Sequence, residues 1–384
     1  MSQQPGEEVA LGLGDIMRAR RNLAHLLGKT PLEYSFLLSQ EVANDVYLKL
    51  ENWQKTGAFK VRGAINKMAS LSPAEKIRGV VSVSSGNFAV GVAYAAQALG
   101  GVPVTIFMPA NTPSSKVDKL AEFDVEVTLE GATFDEAHDI STEFQRERGL
   151  TFVHTYDDPL VVAGQGTVGL EIMEQLPEVE AILVPIGGGG LIAGTAVAAK
   201  AINPQVRVIG VQAEASPSAY LSLKEGHCYE RYDAAPTIAE GLAGGFGIVP
   251  FNIARDLIDE VILVNEEEIY EAVFFLLQVA QRVVEGSGAV GVAALLSGKV
   301  DLRGKKVAVI LSGGNIDIEV LSQIMDSVIT RSEIPHFVRN RLRSPRRKHR
   351  RDCFAAPSLC SGLRLSMTGS LSTTLKEGRM INER

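Results

Sequence analysis

The sequence predicts an α/β protein whose chain forms two lobes, each built on a parallel-rich sheet covered by helices. Two observations predict this fold class. Short apolar runs with many β-branched residues alternate with longer segments of helical periodicity, and continuous apolar runs are typical of strands buried on both faces of a parallel sheet. This alternation falls into two blocks, at roughly residues 70–154 and 155–330. A chain of 384 residues can form two domains of ordinary size.

The individual elements follow from these patterns in chain order. Runs with the length and β-branched content of buried strands span residues 80–83, 102–107, 125–129, 181–186, 206–212 and 307–311. Segments with helical periodicity lie beside them, at residues 88–99, 114–123, 134–148, 167–175, 191–202 and 266–284. Because crossover helices join parallel strands, this order predicts helices on both faces of the sheets.

We expect residues 1–69 and 155–330 to form a large lobe and residues 70–154 a small lobe, with a cleft between them. After about residue 330 the periodicity ends and the composition changes to Arg, Ser and Pro. Residues 331–384 are therefore predicted to be a basic, disordered tail. The basic run at 339–351 could contact RNA or a membrane, but a solvated tail is the favoured interpretation.

The composition narrows the class of protein further. The chain has a net charge of −7, is 46% hydrophobic and is 22% charged, which is ordinary for a soluble protein. Its acidic body argues against nucleic-acid binding by the fold itself. The N-terminal residues are acidic and lack the apolar core of a secretory signal, and the three cysteines have no metal-type spacing. We therefore expect a cytoplasmic protein with no membrane span and no metal site.

A run of four glycines is the first candidate for a functional site. Gly187, Gly188, Gly189 and Gly190 separate the predicted strand at 181–186 from the predicted helix at 191–202. A loop without side chains at a helix start exposes backbone N–H groups, and the helix dipole adds positive potential, so the segment suits a phosphate. The alternative is a tight strand–helix turn, which usually needs one or two glycines rather than four.

Two further segments place chemically useful groups near element ends. Lys60 follows Phe59 within a run of small and apolar residues, where desolvation would lower the pKa of its amine and leave it nucleophilic. Taken alone, however, a lysine is usually a solvated surface residue. Ser84, Ser85 and Asn87 follow the predicted strand at 80–83 and offer hydroxyl, amide and free N–H donors to a carboxylate.

A third segment follows the predicted strand at 307–311. Ser312 is followed there by two glycines and an asparagine, and glycines after a hydroxyl permit a flat ligand to approach closely. A simple turn explains this segment equally well when it is considered alone.

Taken together and in this order, the segments resemble those of fold-type II pyridoxal-phosphate (PLP) enzymes, in the branch of threonine/serine dehydratases and serine racemase. The resemblance covers about residues 15–329. It includes Gly-Lys-Thr-Pro-Leu at 28–32, His-Thr-Tyr-Asp-Asp-Pro at 154–159, Gly-Gln-Gly-Thr at 164–167, Thr-Ile-Ala-Glu-Gly at 237–241 and Glu-Gly-Ser-Gly-Ala at 285–289. It implies the two-lobed, tryptophan synthase β-like architecture of that fold type.

The resemblance also implies which residues hold the cofactor. Lys60 would bind PLP through a Schiff base, Phe59 would pack beside the ring, and Ser312 would face the pyridine nitrogen. The other expected contacts are Asn87 at the phenolic oxygen, a phosphate cradle of Gly187, Gly188, Gly189, Gly190 and Leu191, and additional contacts from Gly241 and Glu285.

The substrate implied by the resemblance is a small amino acid. Its carboxylate would be held by Ser84, Asn87 and the backbone of Phe88, with Ser85 beside them. Lys60 would act as general base at Cα. Ser85 matches the serine that serves as acid and base in the racemases of this branch, although serine is also common there among dehydratases.

The implied reaction is the elimination of water from a β-hydroxy amino acid, such as L-threonine or L-serine, to give a 2-oxo acid and ammonia. A serine or aspartate racemase is the alternative. A β-replacement enzyme is less favoured, because Val-Arg-Gly follows the lysine where those relatives generally have Asp-Arg. A non-catalytic binding protein is disfavoured by the intact set of site residues. We expect a homodimer or homotetramer.

Two positions depart from the pattern of the branch. Phe88 replaces the histidine that usually follows Ser-Gly-Asn, which predicts an altered substrate pocket. Glu214 matches one ligand of a divalent cation found in some members, but Tyr220 lies near the place where a second acid is expected, which argues against a metal.

Overall fold

The computed structural model describes residues 11–330, and ten strands form two sheets within this part of the chain. The predicted tail at 331–384 lies outside the described residues. The strands are β1 (Leu32–Tyr34), β2 (Asp45–Leu50), β3 (Val80–Val83), β4 (Val104–Met108), β5 (Glu126–Leu129), β6 (Thr151–Phe152), β7 (Ala181–Pro185), β8 (Arg207–Ala213), β9 (Glu260–Val264) and β10 (Lys306–Leu311).

The helices cover both sheets. They are α1 (Leu13–Leu23), α2 (Phe36–Val42), α3 (Val61–Ala69), α4 (Pro73–Arg78), α5 (Asn87–Ala98), α6 (Ser114–Asp118), α7 (Phe134–Arg148), α8 (Pro159–Gln175), α9 (Gly190–Ile202), α10 (Ser218–Glu225), α11 (Ile248–Ala254), α12 (Glu266–Gln278), α13 (Gly286–Leu296) and α14 (Ile318–Thr330). Within residues 11–330, none of them combines the length and the apolar character that a membrane crossing requires.

The large sheet has the strand order β1-β2-β10-β7-β8-β9. All its pairs are parallel except β1 with β2, which are antiparallel and are joined through α2. The small sheet, β5-β4-β3-β6, is parallel throughout, and its strands all lie within residues 80–152. The predicted α/β class with parallel-rich sheets is therefore confirmed. The exact boundaries of the two predicted lobes stay a prediction.

Both faces of the large sheet are covered, as the continuous apolar strands predicted. Side chains of consecutive residues in a strand point to opposite faces. In β10, Val309 belongs to one hydrophobic cluster with Leu183 of β7, whereas Ile310 belongs to a second cluster with Val184. All four residues are fully buried.

One helix has the bounds that the sequence predicts, and another begins earlier than predicted. Helix α7 spans the predicted residues 134–148, because the Thr133 side chain accepts a hydrogen bond from the Glu136 amide and Gly149 ends the helix in a left-handed conformation. Helix α8 begins at residue 159 rather than at the predicted 167, with Asp158 as its N-cap. The helix continues through its glycines. At Gly164, the absence of a side chain lets α8 approach the backbone of Arg62.

Two predicted helices are too long. Helix α6 ends at residue 118 rather than 123, and α12 ends at residue 278 rather than 284. After α12 the chain turns through Gln281, whose φ of 56° is incompatible with a right-handed helix.

Candidate active site

The topology brings the ends of three strands to one edge of the large sheet. Strand β10 pairs in parallel with β2 on one side and with β7 on the other, so their carboxyl ends lie side by side. The segment containing Lys60 follows β2, Ser312 follows β10, and the glycine loop follows β7. The carboxyl edge of a parallel sheet is where α/β proteins generally bind ligands.

A short backbone pairing fixes Lys60 beside Ser312. The Phe59 amide donates to the Ser312 carbonyl (3.1 Å), and the Gly314 amide donates to the Gly57 carbonyl (2.9 Å). Ala58 and Gly313 form an antiparallel bridge between these two hydrogen bonds. Lys60 follows directly and serves as the N-cap of α3. The position of its backbone therefore depends on β10, about 250 residues later in the chain.

The glycine loop needs glycine at its centre. Gly189 has a φ of +92°, in the left-handed region that side chains rarely adopt. A Cβ on Gly188 would overlap the ring of Tyr156. Within residues 11–330, the amides of Gly187, Gly188 and Gly189 donate no hydrogen bond to another protein group. Because these unpaired amides precede the buried helix α9, the loop has the donors and the dipole that an anion requires.

The small sheet contributes the facing wall of the site. Strand β3 ends at Val83, and the loop after it leads to Asn87 at the start of α5. The Asn87 side chain donates to both carboxylate oxygens of Glu285 (2.8 and 3.1 Å). The Asn315 side chain in turn donates to the Asn87 Oδ1 (2.8 Å) and to the Thr56 carbonyl (2.8 Å). Asn87 is thus oriented by groups from the large sheet.

Burial shifts the two titratable groups at the centre of the site toward their neutral forms. Desolvation lowers the pKa of the Lys60 amine, and the charge of Glu285 only partly offsets this effect. Desolvation likewise raises the pKa of Glu285, against the hydrogen bond from Asn87 and the charge of Lys60. An amine with a lowered pKa has a larger unprotonated fraction near neutral pH, which is the form that reacts with a carbonyl group.

These groups surround one cavity. Its outer part has a volume of about 710 Å³. Lys60, Asn87, Gly188, Gly241 and Glu285 line both this outer part and a narrower inner recess. The predicted cofactor residues that line the inner recess are Phe59, Lys60, Asn87, Gly187, Gly188, Gly189, Gly190, Leu191, Gly241, Glu285 and Ser312. The free amides and the amine with a lowered pKa fit a phosphate-bearing aldehyde such as PLP.

The predicted substrate residues divide into two groups. Ser84, Ser85 and Asn87 line the outer cavity. The side chain of Phe88 instead packs in the hydrophobic core beside the small sheet, at 1% exposure. The prediction that Phe88 alters the substrate pocket is therefore wrong for its side chain, because α5 directs this residue inward. Only its backbone can face the cavity.

A cluster of four buried charges lies behind Lys60. This buried charge cluster consists of Lys49, Glu51, Arg62 and Glu171, each at most 4% exposed. The Arg62 guanidinium donates to Glu51 (both 2.8 Å) and to Glu171 (2.7 and 3.0 Å). The Lys49 amine donates to Glu171 (2.6 Å). The cluster joins β2, the turn after it, α3 and α8, and so fixes the helix that begins after Lys60.

Some residues of the site were not singled out from the sequence. Asn315 orients Asn87 through a hydrogen bond, and Tyr156 closes one side of the glycine loop. Ser287 accepts a hydrogen bond from the Gly241 amide (2.9 Å). All three lie within motifs that the sequence already indicated, but nothing in the motifs distinguishes them from turn residues. Their roles follow only from their three-dimensional neighbours.

The candidate metal position pairs with a lysine. Glu214 lies 3.1 Å from the amine of Lys299. Within residues 11–330, no three His, Cys, Asp or Glu side chains are grouped so that they could hold a metal ion.

Comparisons with known proteins agree with this site. The sequence pattern of the family described as "Pyridoxal-phosphate dependent enzyme" matches residues 23–313. The chain is 50% identical over 321 residues to a Thermotoga maritima protein named L-threonine ammonia-lyase, covering 83% of this chain and 79% of that protein. It is 43% identical over 320 residues to the catabolic L-threonine dehydratase of Escherichia coli K12, covering 83% of this chain and 97% of that protein.

The fold is also similar to a solved racemase structure. Maize serine racemase superposes with a TM-score of 0.76 at 35% identity, covering 83% of this chain and 98% of that one. Similarity in fold and sequence therefore extends to relatives that are named for different reactions.

Proposed function

The chain belongs to the pyridoxal-phosphate-dependent enzymes, and from that premise we propose that it is an ammonia-lyase that acts on L-threonine or a related β-hydroxy amino acid. The reaction eliminates water to give an unsaturated amine, and hydrolysis of that amine takes up water again and releases ammonia. The net products are ammonia and a 2-oxo acid, which is 2-oxobutanoate in the case of threonine. The observation that carries this proposal is the grouping of the Lys60 amine, the free amides of the glycine loop and the Ser312 hydroxyl around one cavity. The identities of 50% and 43% to proteins named for this reaction support it.

Each residue of the inner recess has a proposed task in holding PLP. Lys60 holds the cofactor covalently, and the amides of Gly187, Gly188, Gly189, Gly190 and Leu191 bind its phosphate. Phe59 packs against the ring, and Asn87 donates a hydrogen bond to the phenolic oxygen. Gly241 and Glu285 complete the wall. Ser312 is the partner of the pyridine nitrogen.

When bound, PLP supplies a conjugated ring that can accept the electrons released at Cα of an amino acid. Ser84, Asn87 and the backbone of Phe88 hold the substrate carboxylate and thereby fix the direction of the Cα–H bond. Lys60 is released when the amino group of the substrate takes its place, and its amine, in the unprotonated form, would then take the proton from Cα as general base. Because Ser312 is a neutral hydroxyl, it brings no negative charge to hold a proton on the pyridine nitrogen. This favours loss of the β-hydroxyl over transamination.

Racemisation is a second candidate, and one observation favours it. Ser85 lines the same cavity as Lys60, so a second group that can exchange a proton is available there. In a racemase, Ser85 would donate a proton to Cα after Lys60 has removed one. The product would be the D-enantiomer instead of an oxo acid. Chiral analysis of the products separates the two reactions.

The substrate range, the cellular location and the assembly of the enzyme extend this proposal. We propose that L-serine is a second substrate, that the enzyme works in the cytoplasm, and that it forms a homodimer or homotetramer. Light scattering during size-exclusion chromatography tests the oligomeric state, and a coupled assay for pyruvate tests the use of serine.

The function is tested with purified protein loaded with PLP. L-Threonine, L-serine and L-threo-3-hydroxyaspartate are supplied in turn, and 2-oxo acid release is followed with Lys60→Ala as the inactive control. Oxo acid from threonine with the unaltered enzyme, and none with the variant, is the expected result. Release of D-amino acid without oxo acid would instead establish the racemase.

A further inference from the structure

Three ion pairs cross the outer part of the cavity. The Lys116 amine lies 2.7 Å from a carboxylate oxygen of Glu240, and the Lys119 amine lies 3.0 Å from one of Asp317. The Arg231 guanidinium lies 3.2 Å from a carboxylate oxygen of Asp139. In each pair one member comes from the segment that holds the small sheet and the other from the segments that hold the large sheet. We refer to these three as the cleft pairs. Lys116, Lys119 and Arg231 all line the cavity.

Two of the acids stand close to the groups that surround the reaction. Glu240 directly precedes Gly241, which lines the inner recess with Lys60. Asp317 follows two residues after Asn315, whose side chain donates to Asn87. The amines of Lys116 and Lys119, which these acids neutralise, therefore lie in the cavity that would hold the substrate.

Apart from Lys60, the ionisable groups of the outer cavity that lie outside the cleft pairs are acidic. Glu230 and Asp233 also line it, and among residues 11–330 no cation lies within ion-pairing distance of either. Thus Lys116, Lys119 and Arg231 each have an acidic partner, and Lys60 is the residue proposed to hold PLP, whereas Glu230 and Asp233 have no cationic partner among the described residues. A second carboxylate on a substrate would meet no free cation in this part of the cavity and would lie near uncompensated negative charge.

We propose that Glu240 and Asp317 are specificity-determining residues, which keep Lys116 and Lys119 neutralised so that the site accepts uncharged β-hydroxy amino acids and rejects those with a second carboxylate. This inference rests on the proposed ammonia-lyase function and names the substrate class within it. It predicts that removing either acid frees a lysine to bind a dicarboxylic substrate.

The test compares two substrates across three forms of the PLP-loaded enzyme. The ratio of kcat/KM for L-threo-3-hydroxyaspartate to kcat/KM for L-threonine is measured for the unaltered enzyme, Glu240→Gln and Asp317→Asn. A hydrogen bond to a charged group favours binding enough to change affinity about tenfold to a hundredfold, so each variant is expected to raise the ratio by about tenfold or more.

Glu260→Gln is the matched control. It breaks an ion pair of the same kind, with Arg207 at 2.8 Å, but at the amino ends of β8 and β9, on the edge of the sheet away from the site. This variant should leave the ratio unchanged. If all three variants change it equally, or if Glu240→Gln and Asp317→Asn leave it unchanged, the inference is wrong.

A binding measurement separates this inference from the proposed function. Calorimetric titration with L-aspartate and L-2-aminobutyrate, which carry no β-hydroxyl, gives the same charge comparison without turnover. An unaltered enzyme that binds or converts the dicarboxylic compound as well as the neutral one would overturn the inference and leave the ammonia-lyase proposal standing. Absence of any oxo acid, with a tenfold gain in aspartate binding by Glu240→Gln, would overturn the ammonia-lyase proposal and leave the role of Glu240 in selecting against a second carboxylate standing.

Discussion

The buried charge cluster and the cleft pairs use the same chemistry in different surroundings. In the buried charge cluster, Arg62 and Glu171 are almost without solvent contact and each contacts more than one partner. In the cleft pairs, the Glu240 side chain is 65% exposed and contacts one lysine. An ion pair in water contributes little to stability, whereas breaking a buried one leaves a charge that cannot be solvated.

This difference separates two requirements of the site. The buried charge cluster connects the elements around Lys60 and holds the start of α3 in place. Each of the cleft pairs has at least one member that lines the outer cavity, and we expect these exposed pairs to contribute little to folding but to affect which substrate binds. The comparison therefore predicts large losses of stability from the first group and changes in specificity from the second.

The largest effect is expected from Glu171→Ala. This change leaves Arg62 and Lys49 without one of their acceptors inside the protein, and it should lower the free energy of unfolding by about 3–5 kcal/mol. Glu174→Ala is the matched control on the same helix, since Glu174 pairs with Lys29 (2.6 Å) and Arg20 at the surface.

The control should lose less than about 1 kcal/mol. Urea unfolding followed by circular dichroism measures both variants. Equal losses from the two positions would contradict the distinction between buried and exposed pairs on which the comparison depends.

A smaller effect is expected from Gly188→Ala in the inner recess. The new Cβ would overlap Tyr156 and displace the glycine loop, and overpacking of this kind costs about 1–3 kcal/mol. The Kd for PLP, measured by absorbance titration, should rise about tenfold or more. A Cβ on Gly190 meets no protein atom closer than 3.5 Å, so Gly190→Ala should change the Kd less. Equally tight binding by both variants would show that the position of Tyr156 is unimportant.

The smallest effect on stability is expected from Glu240→Gln. Since the Glu240 side chain is 65% exposed, the variant should unfold within about 1 kcal/mol of the unaltered protein, even though it is expected to change substrate preference. Urea unfolding of the two proteins side by side provides the measurement. A loss of several kcal/mol would place the cleft pairs with the buried charge cluster and remove the contrast between them.

The sequence predicted the parts of the fold that local patterns determine. The apolar strand at 80–83 and helix α7 both have the predicted bounds. The edge strand β1 was not predicted, because three residues carry too short a pattern. Helix α8 was predicted to begin too late, because its glycines resemble a loop until their packing against α3 is known.

The residues of the candidate site also divide into those that local sequence patterns identify and those that only the folded structure identifies. Lys60 and the glycine loop are recognisable as motifs, and the structure brings them to one cavity. Glu171, one of the two acidic partners of Arg62, and Glu240, the partner of Lys116, each lie more than 100 residues from the residue they pair with. A charged residue in an isolated segment is read as solvated, so only the three-dimensional neighbours reveal that Arg62 is buried and that Lys116 lines the cavity.

The position of β10 has a consequence for synthesis of the chain on the ribosome. This strand is the last of the ten described strands in sequence order, yet it lies in the middle of the large sheet, between β2 and β7. The antiparallel pair of β1 and β2, although translated early, cannot join the rest of the sheet until residues 306–311 have been made. The Lys60 segment likewise lacks the backbone partner supplied by residues 312–314 until then. A prematurely terminated chain therefore carries the reactive lysine without the site that would direct its chemistry.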